Sequence, residues 1–407
     1  MKNTPFFSLL KLRQVSMLFI CCLMAFACTA QVLPGAARTE LYLPALQGKA
    51  VGVFANQTSV VDNMHLVDLL LSKGIKIRKI FSPEHGFRGT ADDGKVINDS
   101  IDPKTGILLV SLYGAKRKPS AEDLKDVDVM VFDIQDVGAR FYTYISSLQE
   151  YIEAAISSNK PLLIFDRPNP NGFYVDGPIL EKKFSSFIGM QPVPIVYGMT
   201  IGEYARMLIG EKWLNEEANK QLSQKQARVT VIPCAGYTHK SKYKLPVRPS
   251  PNLPEMQSVY WYPSTCFFEG TVLSEGRGTS KAFQLFGHPS YPKTMSSFTP
   301  HSQEGAANPK LKDQVCYGWN LSGTPEQVLQ QVDGKIQLKW IMEAYRLFPN
   351  KANFFLPTDH FNRLAGNSTF IEQIKAGKTE SEIRKSWQPG LDQFKVIRKK
   401  YLLYEDF

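Results

Sequence analysis

Only six cysteines occur in 407 residues, and Cys21, Cys22 and Cys28 crowd the start of the chain. Cys234, Cys266 and Cys316 remain, an odd and widely spaced set that makes neither a disulfide framework nor a zinc pattern. Buried free thiols are the expectation for them. The histidines (His65, His85, His239, His288, His301 and His360) never form H-x-H or H-E-x-x-H, so the pattern predicts no metal. No G-x-G-x-x-G follows the first apolar strand, so no dinucleotide is implied, and no G-x-S-x-G elbow points to a serine hydrolase. Internal repeats, and blocks of Lys and Arg interleaved with aromatics, are also lacking, which excludes solenoids and argues against nucleic acid.

Positive charge is not lacking. The formal charge is +10, falling to +7 once Lys2, Lys11 and Arg13 are set aside with the first thirty residues. A chain that basic drifts towards anionic envelope polymers, although solubility alone is the plainer reading. Those three cations precede an apolar run, Val15 to Ala27, too short to span a membrane, and then Cys28-Thr29-Ala30-Gln31. The pattern predicts a secretory signal over residues 1–30 and an exported protein. Cleavage after Ala30 would free a soluble periplasmic protein. Cleavage after residue 27 would expose Cys28 for a lipid anchor at the outer membrane, although Phe26 makes a poor lipobox. Both endings stay open.

From there the chain alternates apolar strands with amphipathic helices. Strands are expected at 49–54, 75–81, 107–112, 128–133, 161–166, 193–196 and 229–232, with helices at 65–72, after Ser120, at 143–157 and from Thr200. Runs this uniformly apolar belong to a parallel sheet covered on both faces. The predicted fold is α/β: a Rossmann-like domain over residues 38–240, then a smaller α+β domain over 241–407, where prolines and aromatics become dense. Helices are expected there at 324–333, 338–348 and 380–387.

Every predicted strand ends in polar residues, and ligands of open α/β sheets bind beyond the carboxyl ends of strands. The strand ending at Phe81 runs into Ser82-Pro83-Glu84-His85-Gly86, with Arg88 close behind. A carboxyl in a closed, partly apolar cleft can serve as general acid, so Glu84 is the leading catalytic candidate; pairing with Arg88 is the structural alternative. Asp133-Ile-Gln-Asp136, Arg140, Tyr142 and Tyr144 form the densest polar cluster. The guanidinium suits a carboxylate and the tyrosines suit a sugar face. Asp166-Arg167-Pro-Asn169-Pro-Asn171-Gly172 is a rigid loop able to bind hydroxyls or to serve as turn chemistry. Glu269, Glu275 and Arg277 sit among glycines in Phe268–Thr271 and Ser274–Thr279, a loop whose backbone could approach a ligand. Thr200 and Glu203 match a helix capping box.

Taken together, S-P-E-H-G-F-R-G (82–89), V-F-D-I-Q-D-V-G-A-R-F-Y-T-Y-I (131–145), D-R-P-N-P-N-G (166–172), G-M-T-I-G-E (198–203), S-P-N-L-P (250–254) and F-E-G-T…S-E-G-R-G-T (268–279) resemble one family, the NamZ-type exo-β-N-acetylmuramidases. The resemblance runs from about residue 38 to the C-terminus. It departs at Asp93-Gly94-Lys95, where a Gly-Glu pair is expected, and at Val272, where Asn is expected. It implies an active site in the cleft between the two domains. It also implies release of N-acetylmuramic acid from the non-reducing ends of peptidoglycan fragments. Glycoside cleavage usually needs two carboxyl groups. Glu84 is expected as acid. Asp133 and Glu275 lead for the second group, with Asp136 and Glu269 open, and an acetamido nucleophile is a further route. His85, Arg88, Asp136, Arg140, Tyr142, Tyr144, Asp166, Arg167, Asn169, Asn171, Glu269 and Arg277 are expected around the substrate, with Arg140, Arg167 or Arg277 on its lactyl carboxylate. No cofactor is expected. A metal-assisted envelope hydrolase and a non-catalytic muropeptide-binding lipoprotein remain the alternatives.

Overall fold

A computed structural model describes residues 31–84, 86–88, 98–224 and 228–407. Residues 1–30, where a signal is expected and which include Cys28, together with His85 and Asp93-Gly94-Lys95, lie outside the described residues.

In chain order the first part contributes β1 (Ala50–Ala55), the hairpin β2 (Val60–Val61) and β3 (Met64–His65), α1 (Leu66–Ser72), β4 (Lys76–Ser82), β5 (Ser100–Ile101), β6 (Leu108–Ser111), β7 (Val129–Asp133), α2 (Tyr144–Ser157), β8 (Leu162–Phe165), α3 (Ile201–Gly210) and β9 (Val229–Ile232). Seven of the strands make one sheet, in the order β5-β6-β4-β1-β7-β8-β9. Every pairing is parallel except that of β5 at the edge. The chain starts mid-sheet at β1, winds outward through β4 and β6, then returns to lay β7, β8 and β9 on the other side. That winding puts the topological switch point between β1 and β7.

Both faces are covered, as the apolar strands require. Alternation sends Phe54, Phe81 and Phe132 to one face, against Tyr151 of α2. Val51, Val53, Ile80 and Val131 go to the other, against Leu66 and Leu70 of α1. The rings of Phe54 and Phe132 stack 4.9 Å apart across adjacent strands.

The second part opens with α4 (Met256–Thr265) and carries a small antiparallel sheet, β10 (Leu285–His288), β12 (Cys316–Asn320) and β11 (Ser296–Phe298) in spatial order. Helices α5 (Pro325–Val332), α6 (Lys339–Leu347), α7 (His360–Ala365), α8 (Thr369–Lys375) and α9 (Glu380–Lys399) follow. Leu33–Phe407 clusters as a single unit. The chain's last residues fold back on the first part. Leu403 N donates to Glu203 at 2.7 Å, Tyr404 Oη donates to Asp166 at 2.5 Å, and Arg398 holds Asp406 at 2.7 Å.

Two expectations are corrected. Val193–Val196 is not a strand of the sheet; Val196 makes isolated bridges to Ala139 and Asp176 instead. The last helix does not stop near Trp387. Its Thr379–Glu382 capping box forms, and the helix runs through Pro389 to Lys399. Leu391 and Phe394 keep its apolar stripe buried along that extension. Cys234, Cys266 and Cys316 are free and buried.

Candidate active site

A cavity of about 390 Å³ opens beyond the carboxyl ends of β4, β6 and β7 and reaches across to the second part. Glu84 enters it from the turn after β4, Tyr113 and Arg117 from the loop after β6, and Tyr142 and Tyr144 from the segment after β7. Ser250 and Asn252 contribute from the S-P-N-L-P loop, Tyr262 from α4, and Glu269, Arg277 and His360 from the far wall.

The tyrosines are fixed by the fold. Their rings meet edge to face at 4.7 Å. Tyr142 Oη donates to the Pro249 carbonyl at 2.8 Å, and Asn56 Nδ2 donates to Tyr144 Oη at 2.9 Å. The first bond ties the strand-end segment to the S-P-N-L-P loop. Burial, then the neighbouring Tyr144, pushes the Tyr142 hydroxyl far above its ordinary pKa, so it stays protonated. The switch-point crevice itself is filled with polar pairs. Asn56 Oδ1 accepts from Thr58, and Thr58 Oγ1 in turn accepts from Gln135 N.

On the far wall, Arg277 lies between two glycines, Gly276 and Gly278, both with φ of +81°. That left-handed backbone suits glycine, and a Cβ at Gly278 would come within 2.6 Å of the His301 carbonyl. The expected close approach of this loop is therefore to other backbone. Arg277 binds Glu269 at 2.5 Å, and His360 lies 3.4 Å from the same carboxylate. Burial pushes Glu269 up, but Arg277 first and then His360 outweigh it and hold its pKa at about 2. Glu269 is thus a fixed anion across the working pH range.

The remaining expected site residues lie elsewhere. Asp133, a leading second carboxylate, is fully buried and grips Arg167 at 2.6 and 2.8 Å, outside the cavity wall. Arg167 spends its remaining reach on the Val60 carbonyl. Glu275 is buried behind Arg277, 3.5 Å from its Nε and 2.8 Å from Lys310. It braces the site and does not line it. Arg140 is fully buried, with three carbonyl partners, Pro178, Val193 and Leu364, and no carboxylate partner among the described residues. Burial lowers its pKa to about 9. Asp166 caps the start of α3 through Thr200 Oγ1 and Gly202 N. Asn169 and Asn171 donate to the carbonyls of Met199, Val137 and Val259. Asp136 accepts from Gly138 N at 2.6 Å and from Tyr197 Oη. Burial drives its pKa up to about 7. Arg88 pairs with Asp102 at 2.6 Å. Asp136, Arg140, Asp166, Asn169 and Asn171 thus complete backbone hydrogen bonds that the loops leave open, whereas Asp133, Glu275 and Arg88 are held in side-chain ion pairs. Among the described residues no three His, Cys, Asp or Glu side chains converge to hold a metal ion.

Two family models cover nearly all of the chain: the N-terminal domain of the exo-β-N-acetylmuramidase NamZ matches residues 51–257 and its C-terminal domain residues 260–404. The chain belongs to the NamZ family. The peptidoglycan β-N-acetylmuramidase NamZ of Bacillus subtilis (strain 168) is 38% identical, over 89% of this chain and 89% of its own. Two solved structures of DUF1343 family proteins from Bacteroides fragilis NCTC 9343 share the fold. One has 43% identity and a TM-score of 0.83, covering 93% of this chain and all of the other. The second has 25% identity and a TM-score of 0.76, covering 92% and 99%.

Of the residues singled out from the sequence, Glu84, Tyr142, Tyr144, Glu269 and Arg277 line the cavity together. Arg117, Phe187, Asn252, Tyr262 and His360 were not singled out from the sequence for this NamZ-family site. A signal existed for Arg117, in the basic loop K-R-K that follows the strand-end pair Tyr113-Gly114. None existed for His360, an isolated histidine that only the tertiary fold carries to Glu269.

Proposed function

We propose that this cavity is the catalytic pocket of an exo-acting glycosidase that removes N-acetylmuramic acid from the non-reducing ends of peptidoglycan fragments. The supporting observation is that two carboxylates line the cavity among the described residues, Glu84 from one wall and Glu269 from the other. Aromatic side chains between them can stack on a sugar ring. The volume lies within the usual range for small ligands, roughly 300–1,000 Å³.

Glu84 is assigned the general acid. It donates its proton to the glycosidic oxygen as the C–O bond breaks and the electron pair moves to that oxygen; water then bonds to the anomeric carbon and gives up a proton, which restores the Glu84 carboxyl. Glu269, held ionised by Arg277 and His360, faces the positive charge that grows on the sugar in an oxocarbenium-like transition state. The basic and apolar start of the chain supports export to the envelope, where the polymer lies.

The test is product release from a chromogenic β-N-acetylmuramide by wild type and Glu84→Gln. The N-acetylglucosaminide serves as control, and EDTA is added in parallel. The reading expects cleavage of the muramide, insensitivity to EDTA, and a loss of about 10²–10⁴ in rate for a variant that melts like wild type. Binding of N-acetylmuramic acid without turnover would replace it with a binding protein. EDTA sensitivity would replace the carboxyl mechanism with a metal-assisted one.

A further inference from the structure

N-acetylmuramic acid differs from N-acetylglucosamine by a lactyl ether that ends in a carboxylate. A pocket that selects the first over the second needs a cation facing the ligand whose charge is not already spent. The three arginines expected to fill that part do not. Arg140 and Arg167 are buried outside the cavity wall. Arg277 lines the cavity but is committed to Glu269 at 2.5 Å, with Glu275 3.5 Å from its Nε. His360 faces the same Glu269.

We propose that Arg117 is the specificity-determining residue that reads the substrate's carboxylate. It lies in a row of three cations, Lys116-Arg117-Lys118, in the loop after β6. The outer two are spent on acids. Lys116 binds Asp123 at 3.0 Å, and Lys118 lies 3.7 and 3.8 Å from Glu150 and Glu153. Arg117 lines the cavity and, although Glu150 lies near enough to feel its charge, makes no ion pair among the described residues. Its guanidinium is already oriented. The carbon at its centre lies 4.3 Å from the centroid of the Phe187 ring, and Nε donates to the Gly114 carbonyl at 3.3 Å. The contact with the ring face and the Nε bond together restrain the guanidinium. The two Nη groups remain as a fork matching a carboxylate. Phe187 lines the same cavity, so the stacked pair forms one side of the opening.

This assignment rests on the muramidase reading, and the experiment separates the two. Kinetics on the chromogenic muramide compare wild type, Arg117→Ala and Arg117→Lys. Wild type and Arg117→Ala are also tested on the muramide with its lactyl carboxylate methyl-esterified. Calorimetry with free N-acetylmuramic acid and free N-acetylglucosamine is run on each protein. The expected result is a KM for the muramide raised about 10- to 100-fold in Arg117→Ala, with kcat changed less and partial recovery in Arg117→Lys. Esterification should weaken wild type by a similar factor and leave Arg117→Ala almost unmoved. Binding of N-acetylglucosamine should not depend on position 117. An unchanged KM in Arg117→Ala, or equal losses on both sugars, overturns the proposal. If wild type turns over no muramide but binds N-acetylmuramic acid through Arg117, the glycosidase reading fails and this inference stands. If N-acetylmuramic acid is neither cleaved nor bound, both fail.

Discussion

Asp133→Asn separates a catalytic carboxylate from a structural one. Asp133 and Arg167 are both essentially withdrawn from water and joined by two short contacts of 2.6 and 2.8 Å. Neutralising the acid leaves a buried guanidinium with the Val60 carbonyl as its remaining partner. Removing one partner of a buried pair costs about 3–5 kcal/mol, because the charge left behind has lost its compensation. With a urea m-value of about 3 kcal/mol/M, the unfolding midpoint should fall by about 1–1.7 M. Replacing both partners, as Asp133→Leu with Arg167→Met, removes the stranded charge and should recover most of the loss. Urea unfolding followed by circular dichroism reads the midpoints, and muramide turnover is measured under conditions where each variant is folded. Folded Asp133→Asn should turn over close to wild type, in contrast to Glu84→Gln. An Asp133→Asn protein with an unshifted midpoint and no activity would refute the structural assignment and restore Asp133 as a catalytic group.

Two further outcomes follow from the buried polar groups. Burial holds the Asp136 pKa at about 7, far above the usual carboxylate value. The folded state therefore keeps a proton that the unfolded chain loses near pH 4. That contribution to stability is full below about pH 4 and declines as pH rises to 7, so Asp136→Asn should flatten the stability–pH curve across that window; parallel curves would mean that Asp136 is ionised throughout. Gly366 ends α7 with φ of +84°, and a Cβ there would meet Arg140 Nη2 at 2.7 Å. Gly366→Ala should cost about 1–3 kcal/mol and, by shifting the helix that carries His360, raise KM; an unchanged melting temperature would show that α7 relaxes freely.

The sheet was legible because parallel strands buried on both faces must be nearly continuous apolar runs, as Val129–Asp133 and Leu162–Phe165 are. Val193–Val196 carried the same apolar signature and is not in the sheet, since composition does not reveal which backbone a segment pairs with. The strands expected of an α+β second domain could not be placed from the sequence, because Leu285–His288 and Cys316–Asn320 are short and glycine-containing. At the site, Glu84 was legible from its place at a strand end. The same rule misplaced Asp133, Asp166 and Asn169, which occupy equivalent positions and spend their polar atoms on Arg167, Thr200 and Met199. Strand-end position alone cannot tell an acid facing ligand from one closing the loops. That depends on partners such as Arg167, 34 residues further on.

The docked C-terminal tail has a consequence for how the protein is made. Asp166 finds Tyr404 across 238 residues, and Glu203 finds the Leu403 amide across 200. On the ribosome the first part emerges long before these partners exist, so the carboxyl side of β8 stays unfinished until residues 403 and 404 have been made. Clipping the last few residues after synthesis would reopen that same edge in a finished molecule.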